Sequence, residues 1–555
     1  MPDNRCMGCM KELDAGASVC PHCGFDKDKY ISPEMTLPPG SVLANGKYLI
    51  GKTLGQGGFG VTYIALDRSL KLRVAIKEYL PKSMAYRNEN SMSLRWHSSM
   101  AEQKLGRDSF VKEAQKMAQM DDIPGIVRVR EVFYENSTAY IVMDYVEGET
   151  LLRRLEKTGA LDGKACFELL RPVMDSLSEA HQQGMIHRDI SPDNIMLDRR
   201  GRVWLLDMGA AKEINVAQSG QSAHPSSVAV VKNGFSPLEQ YAGGSATGKK
   251  DIGAWTDVYA MSATIFYCMS LSMLPPAPNR VLNPLLELPD IIPPEIARVL
   301  LKGLAVMPKE RIRSMEELRD AFAAAVGAPA PPKPLPKTKE PQLEQERQSE
   351  EYGYDALPRL GAVEVYGQPQ KPQKPQNALP SGSLLAYGKY QVERVLGLSG
   401  FGITYIALDK SLDVHVAIKE YMPIGMAYRT KDSASLHWKS SIQDRQSGRE
   451  NFIRKARMMS KIAHISSIVQ ARDVFFQNDT AYIVTDFIDG ETLMSRLQKI
   501  GRMDAKSCFH LLAPIMESLE TAHQRGIIHP GCQHLTFWHD KKPLMERRIF
   551  HRNEF

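Results

Sequence analysis

Four short stretches in a fixed order constrain this 555-residue chain more than its composition does. Gly55-Gln56-Gly57-Gly58-Phe59-Gly60 sets a glycine turn between β-branched residues, with Ile50 and Thr53 before it and Val61, Thr62 and Ile64 after. That pattern predicts two strands around a loop whose backbone can approach a phosphate, where a Cβ would clash. Val74-Ala75-Ile76-Lys77 predicts a buried strand ending on a cation. Far downstream, His187-Arg188-Asp189-Ile190-Ser191-Pro192-Asp193-Asn194 is followed by Asp207-Met208-Gly209. These two stretches gather the hard oxygen donors that a divalent cation on phosphate requires. A buried histidine and a few turn glycines would have to account for each stretch separately.

Together the four stretches resemble the protein kinase family, and within it the eukaryotic-like (Hanks-type) Ser/Thr kinases of bacteria, from about Gly46 to Val326. The resemblance implies a bilobal α+β kinase fold. It also implies ATP and Mg2+ (or Mn2+) as cofactors and transfer of the γ-phosphoryl group to Ser/Thr hydroxyls of protein substrates, with autophosphorylation. By the same resemblance Leu54, Gly55, Gly57, Gly60, Thr62, Ala75, Met143, Val146 and Met196 surround the nucleotide. Lys77 pairs the α- and β-phosphates, and Glu113, on a helix-period run with Phe110, Ala114 and Met117, is its partner. Glu102 is the alternative partner, and residues 79–108 read as an insertion anchored by Trp96. Asp189 is the base, Asn194 and Asp207 are the metal ligands, and Ser219, Ser222, Ser226 and Ser227 stand in the activation loop. Asp257, and Arg311 paired with Glu239, resemble the family's carboxy-lobe anchors. One position departs from the pattern. Ser191 stands where Ser/Thr kinases carry a lysine, and Lys232 stands where they carry the threonine that packs against it. The cation is therefore expected to have moved to Lys232, because charge on the transferred phosphoryl needs one nearby. The alternative is a kinase-fold scaffold or binding protein that transfers nothing.

Ahead of this unit, Cys6-Met7-Gly8-Cys9 and Cys20-Pro21-His22-Cys23 aim two pairs of thiolates at one point. Four thiolates make a closed tetrahedral site suited to structural Zn2+, and the stretch resembles a zinc ribbon. The other four cysteines (Cys166, Cys268, Cys508, Cys532) are scattered, which suits a reducing cytoplasm better than a disulfide framework. The amino terminus has no apolar signal core, and the greasiest run, Val258 to Leu274, is too short and too hydroxylated to span a membrane. A net charge of +6, with no dense basic run, gives no argument for nucleic acid.

Residues 327–378 turn to Pro, Gln, Lys and Glu without apolar periodicity, the composition of a disordered linker. Beyond them the chain repeats itself. Leu37-Pro38 recurs as Leu379-Pro380, Lys77 as Lys419 and Tyr140 as Tyr482, each 342 residues on, without a gap up to His529. The second copy exchanges Gly57 for Ser399 and Glu113 for Lys455, and Gly531 and Thr536 fall where Asp189 and Asn194 would be. After His529 the similarity breaks off, as a shifted reading frame or divergence would cause. The expected organisation is a zinc ribbon (1–30), a linker (31–45), an active kinase domain (46–326), a linker (327–378) and a truncated pseudokinase repeat (379–555). The last unit would act by contact, within the chain or by self-association, with Phe509, Leu512, Ile515 and Leu519 left uncovered on a helix.

Overall fold

A computed structural model describes residues 4–14, 16–89, 91–121, 123–206, 231–241, 252–282, 286–328, 377–430, 432–461, 468–501, 503–524, 537–540 and 549–551. The first lobe is an antiparallel sheet of β1 (Val42–Leu43), β2 (Tyr48–Gln56), β3 (Gly60–Asp67), β4 (Leu72–Tyr79), β7 (Val129–Glu135) and β8 (Thr138–Asp144), in the order β1-β2-β3-β4-β8-β7. The hairpin β5 (Ala85–Tyr86)–β6 (Arg95–Trp96) and helix α1 (Met100–Ala118) lie between β4 and β7 in the chain, and α1 packs on β7 and β8. Strand β3 is apolar on both faces, which a half-solvated strand would not be. Its Val61, Tyr63 and Ala65 face one core, while Ile64 and Leu66 face Met10 of the cysteine-rich segment. That segment therefore docks on the sheet. The Lys52 amide donates to the Met7 carbonyl at 2.8 Å, and the Thr53 amide donates to the Tyr30 hydroxyl at 3.0 Å.

The expected boundaries shift in two places. Residues 31–45 are more than a linker, because Leu37 and Leu43 are buried in the core and the Leu37 amide donates to the Tyr63 hydroxyl. The insertion ends at Ser99 instead of 108, because Ser99 and Glu102 form a capping box that starts α1. Glu102 thus serves the cap. Trp96 does anchor the insertion, with its Nε1 donating to the Ser137 carbonyl at 3.1 Å and its ring against Tyr79. Arg87 anchors it more deeply. It pairs with Glu78, donates to the Met35 and Met92 carbonyls, and shares Glu78 with the hydroxyls of Tyr63 (2.8 Å) and Tyr140 (2.7 Å).

The second lobe comprises β9 (Gly148–Thr150), α2 (Leu151–Thr158), α3 (Gly163–Gln182), β10 (Ile195–Asp198), β11 (Val203–Leu205), α4 (Ala254–Ser270), α5 (Ala277–Leu282), α6 (Pro294–Gly303) and α7 (Met315–Ala325). The run that begins at Val258 is the core helix α4, where Ser262 and Thr264 return their hydroxyls to carbonyls one turn back. No described helix is long and apolar enough to cross a membrane.

The second copy rebuilds the first sheet from β12 (Leu384–Leu385), β13 (Tyr390–Ser399), β14 (Gly402–Asp409), β15 (Val414–Tyr421), β18 (Ala471–Gln477) and β19 (Thr480–Asp486), in the same order. It repeats the hairpin as β16 (Ala427–Arg429)–β17 (Leu436–Trp438) and the helix as α8 (Ile442–Ser460). Strand β20 (Gly490–Thr492), helices α9 (Leu493–Ile500) and α10 (Ala505–His523), and strands β21 (Phe537–Asp540) and β22 (Ile549–His551) complete it. The expected bare face on α10 is only partly bare. Phe509 is 67% exposed, but Ile515 is buried with Leu493 and Leu511, because α9 covers that side.

Removing the Glu78 carboxylate would leave Arg87 uncompensated inside the sheet. Glu78→Ala should destabilise this lobe by about 3–5 kcal/mol, seen as an earlier first transition in urea. Glu420→Ala, which strips the equivalent partner from Arg429, should do the same in the second copy. Midpoints equal to the parent's would refute this role for the ion pair.

Candidate active site

The residues expected around a nucleotide come together through sheet register. Gly55 lies opposite Thr62, Thr62 opposite Lys77, Ala75 opposite Met143 and Lys77 opposite Ile141. Leu54 precedes Gly55 on the same strand, and the glycine turn closes with the Gly57 amide donating to the Gly60 carbonyl at 2.9 Å. A Cβ added at Gly55 or Gly57 would meet no protein atom closer than 4.0 Å, so the space over the turn is open to a ligand. Gly60 is required for a different reason, since its Cβ would lie 2.4 Å from the Glu78 carbonyl on β4. Val146 lies in the connection from β8 to β9, and Met196 on β10 sits opposite Thr150. Glu113 is buried on α1 beside Phe110, Val111 and Ala114.

Between the lobes, the loop carrying Asp189 is built around a buried carboxylate. Asp257, at the start of α4, accepts from the amides of His187 and Arg188 at 2.7 Å each and lies 2.8 Å from His181 Nε2. Burial pushes this carboxyl up, but the hydrogen bond and charge of His181 and the loop amides hold it below its ordinary value. These bonds offset the cost, about 1–2 kcal/mol, of Arg188 in the left-handed region at φ 68°. The side-chain amide of Asn194 donates to the Asp189 carbonyl at 2.7 Å, and its oxygen takes no part in that bond. Asp207 lies outside the described residues, as do Ser219, Ser222, Ser226 and Ser227.

Lys232 reaches this loop. Its ammonium donates to the Ser191 hydroxyl at 2.7 Å and pairs with Asp193. Its backbone is held by the Phe235 and Ser236 amides and by the Ser236 hydroxyl. Partial burial pushes the Asp193 carboxyl up, but the Lys232 charge and hydrogen bond outweigh that and bring it below its ordinary value. Sequence reasoning singled out Lys232 and Ser191 and missed Asp193, although Asp193 stands in the same short loop. Arg311 is buried, pairs with Glu239 at 2.7 Å and donates to the carbonyls of Trp255, Ala305 and Val306.

The four amino-terminal cysteines converge as well. Their sulfurs lie within 4.8 Å of one another, with Cys6–Cys23 at 3.6 Å and Cys9–Cys20 at 3.8 Å. A tetrahedron of four Zn–S bonds of about 2.3 Å has edges of about 3.8 Å, so the donor set fits that ion. Gly8, Cys9 and Cys23 of this segment line one cleft together with Leu54, Arg73 and Tyr145.

Residues 48–318 and 390–530 match the protein kinase domain family. The serine/threonine-protein kinase PknA of Nostoc sp. is 27% identical over 295 residues, covering 51% of this chain and 48% of its own. PrkC of Bacillus subtilis is 29% identical over 295 residues, covering 51% and 41%. Serine/threonine-protein kinase F of Synechocystis sp. is 33% identical over 235 residues, covering 40% and 44%. The match spans less than half the length of each of these relatives. The two matched segments cover most of the chain, and the chain belongs to the protein kinase family.

Proposed function

We propose that residues 46–326 form a protein kinase domain that transfers the γ-phosphoryl group of ATP to Ser/Thr hydroxyls of proteins, including its own. The observation that carries this reading is the Asp189 loop, tied to Asp257 through the Arg188 amide and to Asn194 through the Asp189 carbonyl. Asn194 and Asp207 would hold Mg2+ or Mn2+, which neutralises the developing phosphate charge when bound. Lys77, partnered by Glu113, holds the α- and β-phosphates. Asp189 accepts the proton of the attacking hydroxyl, and Lys232 supplies the cation at the transferred group. Cys6, Cys9, Cys20 and Cys23 hold a structural Zn2+. The second copy is a pseudokinase, with Gly531 and Thr536 at the positions of the base and the metal ligand. The rival reading, a kinase-fold scaffold, rests on Ser191, and the contact of Lys232 with Ser191 weakens it.

Asp189→Asn should lower phosphoryl transfer to a generic protein substrate about 100-fold or more while ATP still binds. An active Asp189→Asn chain would sink the proposed base. Lys232→Ala should cut kcat by about 100-fold, and Ser191→Lys combined with Lys232→Thr should restore part of it. Full activity in Lys232→Ala would rule out the moved cation.

Cys20→Ser should lower bound zinc, measured as metal per chain. Because Met10 packs on Leu49 and Ile64, it should also expose the outer face of β3 to proteolysis nearby. Unchanged zinc content would refute the four-thiolate site.

A further inference from the structure

The first lobe and its second copy meet, and the contact repeats itself in both directions. Gln115 on α1 donates to the Ser411 carbonyl at 3.1 Å, and its counterpart in the second copy, Arg457, donates to the Ser69 carbonyl at 3.0 Å. Lys47 pairs with Asp473 at 2.8 Å, and Lys389 pairs with Glu131 at 2.8 Å. Leu412, at the turn between β14 and β15, is buried among Phe110, Ala114 and Met117 of the first copy, and Leu70 is buried among Phe452, Ile453 and Ala456 of the second. Each of these contacts therefore has its mate 342 residues away with the roles exchanged, which is the signature of a two-fold, self-complementary interface. One set of pairs has no mate: Arg128, whose counterpart is Gln470, pairs with Asp486 at 2.9 Å, and Arg472 bridges Asp486 and Asp121. Charges this deeply buried are tolerated only by a matching partner, so the face is selective as well as adhesive.

Which residues the copies share is informative. The second copy has exchanged Glu113, Asp189 and Asn194, yet it keeps the contact lysine (47 and 389) and leucine (70 and 412), and Arg130, the counterpart of Arg472, also reaches across to the Ala471 carbonyl at 3.2 Å. Its own Lys419 is pushed down to about 8 by burial and by Lys455, an arrangement opposed to binding phosphate through a Lys–Glu pair. The contact leucine and lysine are thus kept where the catalytic positions are not. On the first copy the contact face includes α1, the helix that carries Glu113.

We propose that the second copy is a tethered partner whose function is to hold α1 of the first copy against the sheet bearing Lys77. This inference rests on reading residues 46–326 as the phosphoryl-transferring unit. Leu412 is the wedge. Its side chain is buried in the apolar cluster around α1 of the first copy, so replacing it should loosen the joint chiefly on that side.

The test uses the full chain and Leu412→Asp, which puts a charge among the apolar residues of α1. Amide exchange in residues 100–118 should quicken at least tenfold and phosphoryl transfer should fall at least tenfold. Leu412→Met, which keeps the volume, should preserve both, as should Met516→Ser on the exposed side of α10. Should Leu412→Asp fail to fold, Leu412→Ala should give the same changes in smaller measure. Unchanged exchange in α1, or transfer within twofold of the parent, in a folded Leu412→Asp or Leu412→Ala chain overturns the proposal. A parent chain with no transferase activity refutes the catalytic reading instead, and the exchange rates still decide whether the second copy holds α1.

Discussion

The Asp257 carboxylate is the constraint on which the site depends. It has no solvent to stabilise it, so it must be satisfied by protein donors, and those donors are the amides of His187 and Arg188. Satisfying it turns the backbone at Arg188, the residue before Asp189, into the left-handed region. Asn194 and Gln240 then close on the same short loop, with Gln240 donating to the Arg188 carbonyl at 2.7 Å. One buried charge at the start of a core helix thus fixes the loop that carries Asp189 and Asn194.

Much of this was legible in the sequence because the relevant patterns are local. Glycines between β-branched residues predict the hairpin β2–β3, and an apolar run ending in Lys77 predicts β4. Lys232 could be placed against Ser191 only because family resemblance supplied the matched positions, since 41 residues separate the two in the chain. Asp193 could not be chosen that way. A surface aspartate in a loop carries no pattern, and its importance comes only from the ammonium that reaches it. Glu78 and Arg87 were missed for a related reason. Alternation predicts that Glu78 faces one side of a strand but does not reveal that two tyrosines and an arginine wait there.

The docking of the cysteine-rich segment was hidden for a different reason. Two CxxC pairs predict their own local fold completely, so nothing in them announces a second task. The clue lay in β3, whose solvent-side residues Ile64 and Leu66 are too apolar for an open face. Likewise, the internal repeat promised a second sheet but not where it would rest. Periodicity reports that a face is buried, and only the pairing of charges across it reveals against what.

The covalent joining of the two matched faces has a consequence for dilution. Partners on separate chains associate in proportion to their abundance, whereas faces joined within one chain meet at an effective concentration on the order of millimolar. Their contact is insensitive to how many copies of the protein a cell holds, and its stoichiometry is fixed at one to one by the gene. An assembly of this kind does not count its own molecules. Any control over it must act on the joint itself.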